Sequence, residues 1–257
     1  MSHESPRRIV IGDVHGHYQG LEQLLTLLNF SAQDQIYFLG DLIDRGPQSA
    51  RVVELVRTHQ YPCLLGNHEQ MMCYAYSTAD TEHFAMDAWL SAGGRTTLNS
   101  YKGKDEQLEI DLAWMATLPS FFDLGDLWLV HAGLHPNMPL EKQSSQQFCW
   151  IRQEFHQMLT PFFSDKLIVT GHTITFTFPG VEPGQLAQGI GWLDIDTGAY
   201  HPRSGWMTAL DYTQNAVYQV NVFNGSERVR PLSIAVTPIQ PWAERETRAS
   251  KFISRIA

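Results

Sequence analysis

The residues able to do chemistry in this chain are aspartates, histidines, an asparagine and arginines that follow short apolar runs. Gly12-Asp13-Val-His15, Gly40-Asp41-Leu-Ile-Asp44-Arg45 and Gly66-Asn67-His68 each follow a run of strand character, and His131 and His172 close two later ones. Strand ends in an α/β sheet converge on one edge, so residues remote in sequence can meet there. Together they offer carboxylate and amide oxygens and imidazole nitrogens, a donor set that suits manganese, iron, zinc or a similar divalent ion. Two ions about 3.5–4 Å apart need one ligand that touches both, which a carboxylate does with its two oxygens. Asp41, central in the series, is the candidate bridge. A glycine before each ligand lets the backbone turn sharply and leaves room for ions and a phosphate. Taken singly, each element has an ordinary reading: an aspartate after a strand is a helix cap or turn residue, and a lone histidine is a hydrogen-bonded core residue. Their joint occurrence in order points to a metal site, whereas His3, His17, His59, His83, His135, His156 and His201 keep the ordinary reading.

The elements that must position these residues follow from hydrophobic spacing. Arg8-Ile-Val-Ile11 reads as a strand, and Leu21, Leu24, Leu25 and Leu28 recur at helical spacing after it. The rhythm repeats with Ile36-Tyr-Phe-Leu39, after which Pro47 is expected in the first turn of a helix carrying Val52, Val53 and Val56. Cys63-Leu-Leu65 reads as a third strand. Residues from about 70 to 122 read as a mostly helical insertion. Strands are expected again at Leu127–Val130, Leu167–Thr170 and Trp192–Ile195, and a hairpin from Trp206–Leu210 and Val217–Val222 around Gln214-Asn215. Beyond Pro231 the chain, including the charged run Glu244-Arg-Glu-Thr-Arg-Ala249, reads as peripheral. Strand, loop and helix in succession mean an α/β fold, and without a repeat or linker residues 1–257 read as one domain.

Composition narrows the function. With 257 residues, 43% of them hydrophobic, the chain can bury a full core. A formal net charge of −9 argues against broad attraction to nucleic acid or an anionic membrane. Cys63, Cys73 and Cys149 form no CxxC pair, which argues against a disulfide framework or thiolate zinc site and for a reducing, cytoplasmic setting. The start lacks the apolar core of a signal peptide, and no apolar run approaches the roughly 18 residues of a membrane span.

Read together, Gly12-Asp-Val-His-Gly16, Gly40-Asp-Leu-Ile-Asp-Arg-Gly46, Gly66-Asn-His-Glu69, His131-Ala-Gly133 and Gly171-His-Thr173 resemble the signature of the calcineurin-like metallophosphoesterases of the phosphoprotein phosphatase type. Gly66-Asn-His-Glu-Gln-Met-Met72, Trp150-Ile-Arg152 and Asp196-Thr-Gly-Ala199 resemble its bacterial and phage lambda-like Ser/Thr protein phosphatases in particular, although Ile151 stands where a polar residue is more usual. The resemblance implies a metallophosphoesterase-type β-sandwich flanked by helices. It implies that Asp13 and His15 bind one metal with Asp41, while Asp41, Asn67, His131 and His172 bind the other. His68 would protonate the leaving oxygen with Asp44 orienting it, and Arg45, Asn67 and Arg152 would hold the phosphate. Thr197 and Gly198 would shape the turn beneath the site. The implied activity is hydrolysis of phosphomonoesters, foremost protein phosphoserine and phosphothreonine, with two divalent ions, manganese first and iron or zinc next. The partners are then a phosphoprotein or a small phosphoester. A second reading on the same fold is a dinucleoside polyphosphate hydrolase cutting diadenosine tetraphosphate; Asp44 and Glu69 favour the protein phosphatases. A non-catalytic binding module would show gaps in the ligand set, and none is seen.

Overall fold

The apolar runs become strands close to where the sequence puts them. The structure, a computed structural model, describes residues 6–78 and 83–241. In chain order it contains β1 (Arg8–Ile11), α1 (Tyr18–Leu28), β2 (Gln35–Phe38), α2 (Ser49–Thr58), α3 (Asn67–Ser77), α4 (His83–Trp89), α5 (Arg95–Ser100) and α6 (Asp105–Met115). There follow β3 (Phe121–Asp123), β4 (Leu127–Val130), α7 (Ser145–Trp150), α8 (Gln153–His156), β5 (Leu167–Thr170), β6 (Leu186–Gly189) and β7 (Trp192–Asp194). The hairpin β8 (Trp206–Asp211) and β9 (Ala216–Asn221) leads into β10 (Glu227–Pro231), α9 (Leu232–Ala235) and β11 (Val236–Pro238).

These strands form two mixed sheets, ordered β10-β9-β8-β1-β2 and β11-β6-β7-β5-β4-β3. The expectation of one sheet edge is therefore corrected: β1 and β2 pair in parallel in the first sheet, and β4 and β5 in the second. Period-two alternation explains the layering. Val10 of β1 and Leu127 and Leu129 of β4 share one buried cluster, which also takes in Val169, Leu193 and Leu210. Ile9 and Ile11 face the opposite way, against α1 and α2 through Leu21, Leu24, Val52 and Val53. Trp128 and Val130 turn outward against Phe148 and Phe155 of α7 and α8. A two-sheet sandwich with helices on both outer faces is thus what these residues dictate.

Three further expectations are corrected. Cys63-Leu-Leu65 does not extend into a strand; Cys63 makes a single parallel bridge to Phe38 before the chain turns at Gly66. Pro47 lies before the first turn of α2, whose N-terminal cap is Gln48. The stretch after Pro231 is not peripheral, since Ala235 is fully buried and β11 pairs in parallel with β6. Each sheet thereby has one edge strand, β10 or β11, that ends in proline. The run Glu244–Ala249 lies outside the described residues. Among the described residues no helix is long and apolar enough to cross a membrane.

Candidate active site

The loops that leave β1, β2 and β5 carry an unusual backbone. His15, Asp41, Asp44, Arg45 and His172 all have positive φ, between 48° and 71°, although none is glycine. Only three other non-glycine residues among those described share that region. It is costly for a side-chain-bearing residue, so such residues persist only where surrounding bonds fix them. At Gly40 the need is met by glycine itself, with φ +96° and the Gly66 backbone so close that a Cβ would fall 2.6 Å from its nitrogen.

Glu69 supplies much of that fixing. Its buried carboxylate accepts the backbone N–H groups of Asp41 (2.9 Å), Leu42 (2.8 Å), Ile43 (3.3 Å) and Gly66 (3.0 Å). Burial, with Asp41 nearby, raises its pKa to about 7 against the pull of these donors. Sequence reasoning treated Glu69 as a mark of family branch only. The available signal was its place three residues after Gly66, the spacing of a helix-capping box at the start of α3.

The ligand candidates do converge. His15, Asp41 and His68 present donor atoms within 4.8 Å of one another, as do Asp41, His131 and His172. Asp13 joins them less tightly: its Oδ2 is 3.8 Å from His15 Nε2, and its carboxylate accepts the backbone N–H of His172. Asn67 Oδ1 lies 3.0 Å from His131 Nε2 and 2.8 Å from His172 Nδ1.

Hydrogen placement makes this arrangement informative. The Nδ1–H of His131 donates to the Leu39 carbonyl and that of His15 to the Ile43 carbonyl. Burial lowers the pKa of His15, His131 and His172, so the rings are neutral and each Nε2 of His15 and His131 is a lone pair. The His131 lone pair therefore faces the Asn67 amide oxygen and, at 3.4 Å, Asp41 Oδ1. Opposed lone pairs repel unless a cation lies between them. Burial and the charges of Asp196 and Asp41 raise the Asp13 pKa well above the carboxylate range, and Asp196 is held up at about 6, chiefly by burial. The donor set fits divalent metal on these grounds, with the Leu39 and Ile43 carbonyls fixing the His131 and His15 rings.

His68 is set apart. Its Nδ1 is 2.6 Å from Asp44 Oδ2, and its Nε2 points to Asp41 at 3.9 Å. Asp44 also accepts Trp89 Nε1–H at 3.0 Å and the Thr97 hydroxyl at 2.7 Å. Burial pulls the His68 pKa down, but the charge of Asp41 and the bond to Asp44 outweigh it, and the net shift is upward. Trp89 and Thr97 come from the helical stretch between α3 and β3, and nothing local in the sequence identified them.

Two arginines flank the centre. Arg45 Nη1 is 2.8 Å from His15 Nε2, and its guanidinium lies 4.0 Å from the centre of the Tyr200 ring, another contact the sequence did not disclose. Arg152 is the residue before α8, and its side chain donates to the His172 carbonyl (3.2 Å) and Thr173 hydroxyl (2.9 Å). Arg152 is itself exposed, and no ion pair joins it to Glu154. Gly198 N–H donates to Asp196, and the Thr197 hydroxyl donates to the Trp206 carbonyl, which places both in the turn leading into β8.

A second buried histidine and aspartate lie behind this centre. His156 Nε2 is 3.5 Å from Asp194 Oδ2, neither atom is hydrogen-bonded, and Phe155, Phe178 and Trp192 pack around the ring. Burial pushes His156 down to about 3 and Asp194 well up.

Known proteins agree with this architecture. The chain is 33% identical over 132 residues to serine/threonine-protein phosphatase 2 of Escherichia coli, covering 51% of this chain and 58% of that one. It is also 33% identical over 130 residues to the symmetrical bis(5'-nucleosyl)-tetraphosphatase of Methylococcus capsulatus, covering 49% and 42%. The chain thus spans about half the length of these relatives. A candidate diadenosine tetraphosphatase of solved structure superposes with a TM-score of 0.63 at 20% identity, over 88% of this chain and 97% of its own. A protein serine/threonine phosphatase from Saccharomyces cerevisiae superposes with a TM-score of 0.55 at 16% identity, over 86% and 74%. At those identities the likeness is one of fold. The family model for calcineurin-like phosphoesterases matches residues 6–192, which include every ligand candidate from Asp13 to His172, and the chain belongs to that family.

Proposed function

We propose that the chain hydrolyses phosphomonoesters of serine and threonine in proteins, with two divalent ions, manganese foremost. The observation that supports it best is the His68–Asp44 pair. A serine or threonine alkoxide is a strong base and leaves only if protonated, so a positioned acid is needed. A nucleotide leaving group ends in a phosphate whose second pKa is about 6, and it departs at neutral pH without such help. A buried carboxylate with three side-chain donors that raises a histidine is built for the harder leaving group. The bond to Asp44 and the upward shift favour the protonated ring, and a protonated imidazole has no lone pair to give a metal.

Asp13, His15 and Asp41 would hold one ion, and Asp41, Asn67, His131 and His172 the other. Bound there, such ions supply Lewis acidity toward the phosphoryl oxygens and acidify a water to near neutral pKa. Arg45 and Arg152, on opposite flanks, each offer a planar fork that matches two phosphate oxygens, and Asn67 has its amide N–H₂ free to donate. His68 Nε2–H then delivers the proton to the departing oxygen, while Asp44 holds the ring. The resemblance to a tetraphosphatase names the competing substrate. Steady-state kinetics on a phosphothreonine peptide and on diadenosine tetraphosphate, with protein of measured metal content, decides between them. The peptide is expected to have the higher kcat/KM and chelation to abolish turnover of both; a preference for the dinucleotide would overturn the assignment.

A further inference from the structure

Two clefts continue from Arg152 away from the metal-ligand cluster. The nearer, of about 200 Å³, is lined by Trp150, Arg152, His135 and Glu154. The farther, of about 480 Å³, is lined by Glu154, His135, Met158, Leu159 and Phe162. His135 and Glu154 line both, so the two meet. Arg152 ties the nearer end to the centre through its bonds to His172 and Thr173.

The charges along this path are informative. Arg152 is its one arginine or lysine, and it stands at the catalytic end. In the middle is Glu154, exposed and without an ion pair among the described residues. At the far end Leu159 is 78% exposed, an apolar side chain held at the surface beside half-buried Phe162. A polyphosphate chain would carry several negative charges past a free carboxylate, which is repulsive. A polypeptide suits the same path, since one basic side chain would pair with Glu154 and one apolar side chain would cover Leu159 and Phe162.

We propose that this groove holds the polypeptide on one side of the substrate's phosphorylated residue, selecting a lysine or arginine at Glu154 and an apolar side chain at Leu159. The assignment rests on the phosphoprotein reading above and goes beyond it by specifying which phosphoproteins are preferred. The test is a panel of phosphothreonine peptides with lysine or glutamate scanned across the three residues on either side, assayed on the whole protein with added manganese. At one position the lysine peptide is expected to exceed the glutamate peptide in kcat/KM by about threefold to tenfold, the range for an exposed ion pair exchanged for a repulsion. In Glu154→Lys that ratio should invert. The ratio is internal to each variant, so a general loss of folding or metal would lower both peptides and leave it unmoved. A ratio near one at every position, with the peptides still hydrolysed, overturns the groove and leaves the phosphoprotein assignment standing. Failure to hydrolyse any phosphopeptide, by protein that cleaves diadenosine tetraphosphate in the same buffer, overturns both.

Discussion

Two of the buried histidine–aspartate pairs among the described residues, His68–Asp44 and His156–Asp194, are chemically opposite. His68 and Asp44 are 2.6 Å apart, Asp44 takes further donors from Trp89 and Thr97, and the free edge of His68 faces Asp41. His156 and Asp194 stand 3.5 Å apart, with His156 Nε2 and Asp194 Oδ2 unbonded and aromatic rings around the imidazole. Burial penalises the charged form in both. It is outweighed at His68, whose pKa is raised, and it wins at His156, whose pKa falls to about 3. What differs is the negative charge at the ring: His68 faces Asp41 as well as an Asp44 surrounded by donors, whereas Asp194 takes a backbone donor from Asp196 and is otherwise desolvated with its partner. Proximity of unlike residue types does not make an acid; the charge of Asp41 and the hydrogen-bonded carboxylate of Asp44 together do.

The sharpest way to break this contrast is to remove each histidine. His68→Asn should lower turnover of an alkyl phosphate by about 10²–10⁴, the range of general acid catalysis, and lower a nitrophenyl ester less, because that leaving group needs little protonation. His156→Asn should cost stability of about 1–3 kcal/mol by leaving a buried carboxylate worse paired, while turnover per metal-loaded molecule changes by less than about tenfold. Equal losses in the two variants, or equal losses of His68→Asn on both substrates, would erase the distinction.

Asp44→Asn comes next, with an expected loss of roughly 10² in kcat. Asp44 raises the His68 pKa, so without it the acid form is lost at lower pH, and the alkaline limb of the pH–rate profile should move toward acid. A profile that only scales down would assign Asp44 to positioning alone.

The second pair makes a prediction about stability rather than rate. His156, with its pKa lowered in the fold, contributes stability that is present above its unfolded value of about 6.5 and lost as pH falls toward about 3. Asp194, raised in the fold, contributes in the opposite sense: fully below about 3.9, and less as pH rises. Between about pH 4 and 6.5 the pair holds one proton folded or unfolded, so its two slopes cancel. Asp194→Asn should unmask the histidine. Denaturant titrations of that variant should show stability falling, relative to wild type, by about 1.4 kcal/mol per unit as pH drops below 6.5. Parallel curves would mean that Asp194 does not hold the pair's proton. The smallest effect is expected for Trp89→Phe, which keeps the packing and removes one donor to Asp44: about 1.5 kcal/mol of stability and roughly a threefold loss of turnover.

Much of the site was legible because each ligand candidate follows a strand and a glycine or closes a strand, so the chemistry and the chain geometry coincide in a few consecutive residues. Asp13, His15, Asp41, Asn67, His131 and His172 stand out that way as ligand candidates, and the fold brings their side chains together. What decides whether His68 is an acid was not legible. Trp89 and Thr97 reach Asp44 from the far side of a helical stretch, and a tryptophan among polar residues looks the same whether its N–H faces solvent or a carboxylate. The fold follows the same division. β1, β4 and β5 were marked by their apolar runs, but period-two alternation does not say which sheet a strand joins, so His131 and His172 were placed on the same edge as Asp41. Cys63-Leu-Leu65 has the composition of a strand and extends no pairing beyond Cys63, because Gly66 turns the chain into α3 at once.

The two prolines that end β10 and β11 have a consequence for how the protein behaves in company. An open sheet edge is a template on which another chain can add a strand, and the addition needs an unbroken row of backbone N–H donors. Pro231 and Pro238 each remove a donor from that row, and on β10 they are joined by the charged Arg228 and Arg230. The molecule therefore carries its own protection against edge-to-edge aggregation on the side formed by its last two strands. Replacing these prolines with β-branched residues would improve local strand propensity and offer that side to the next copy.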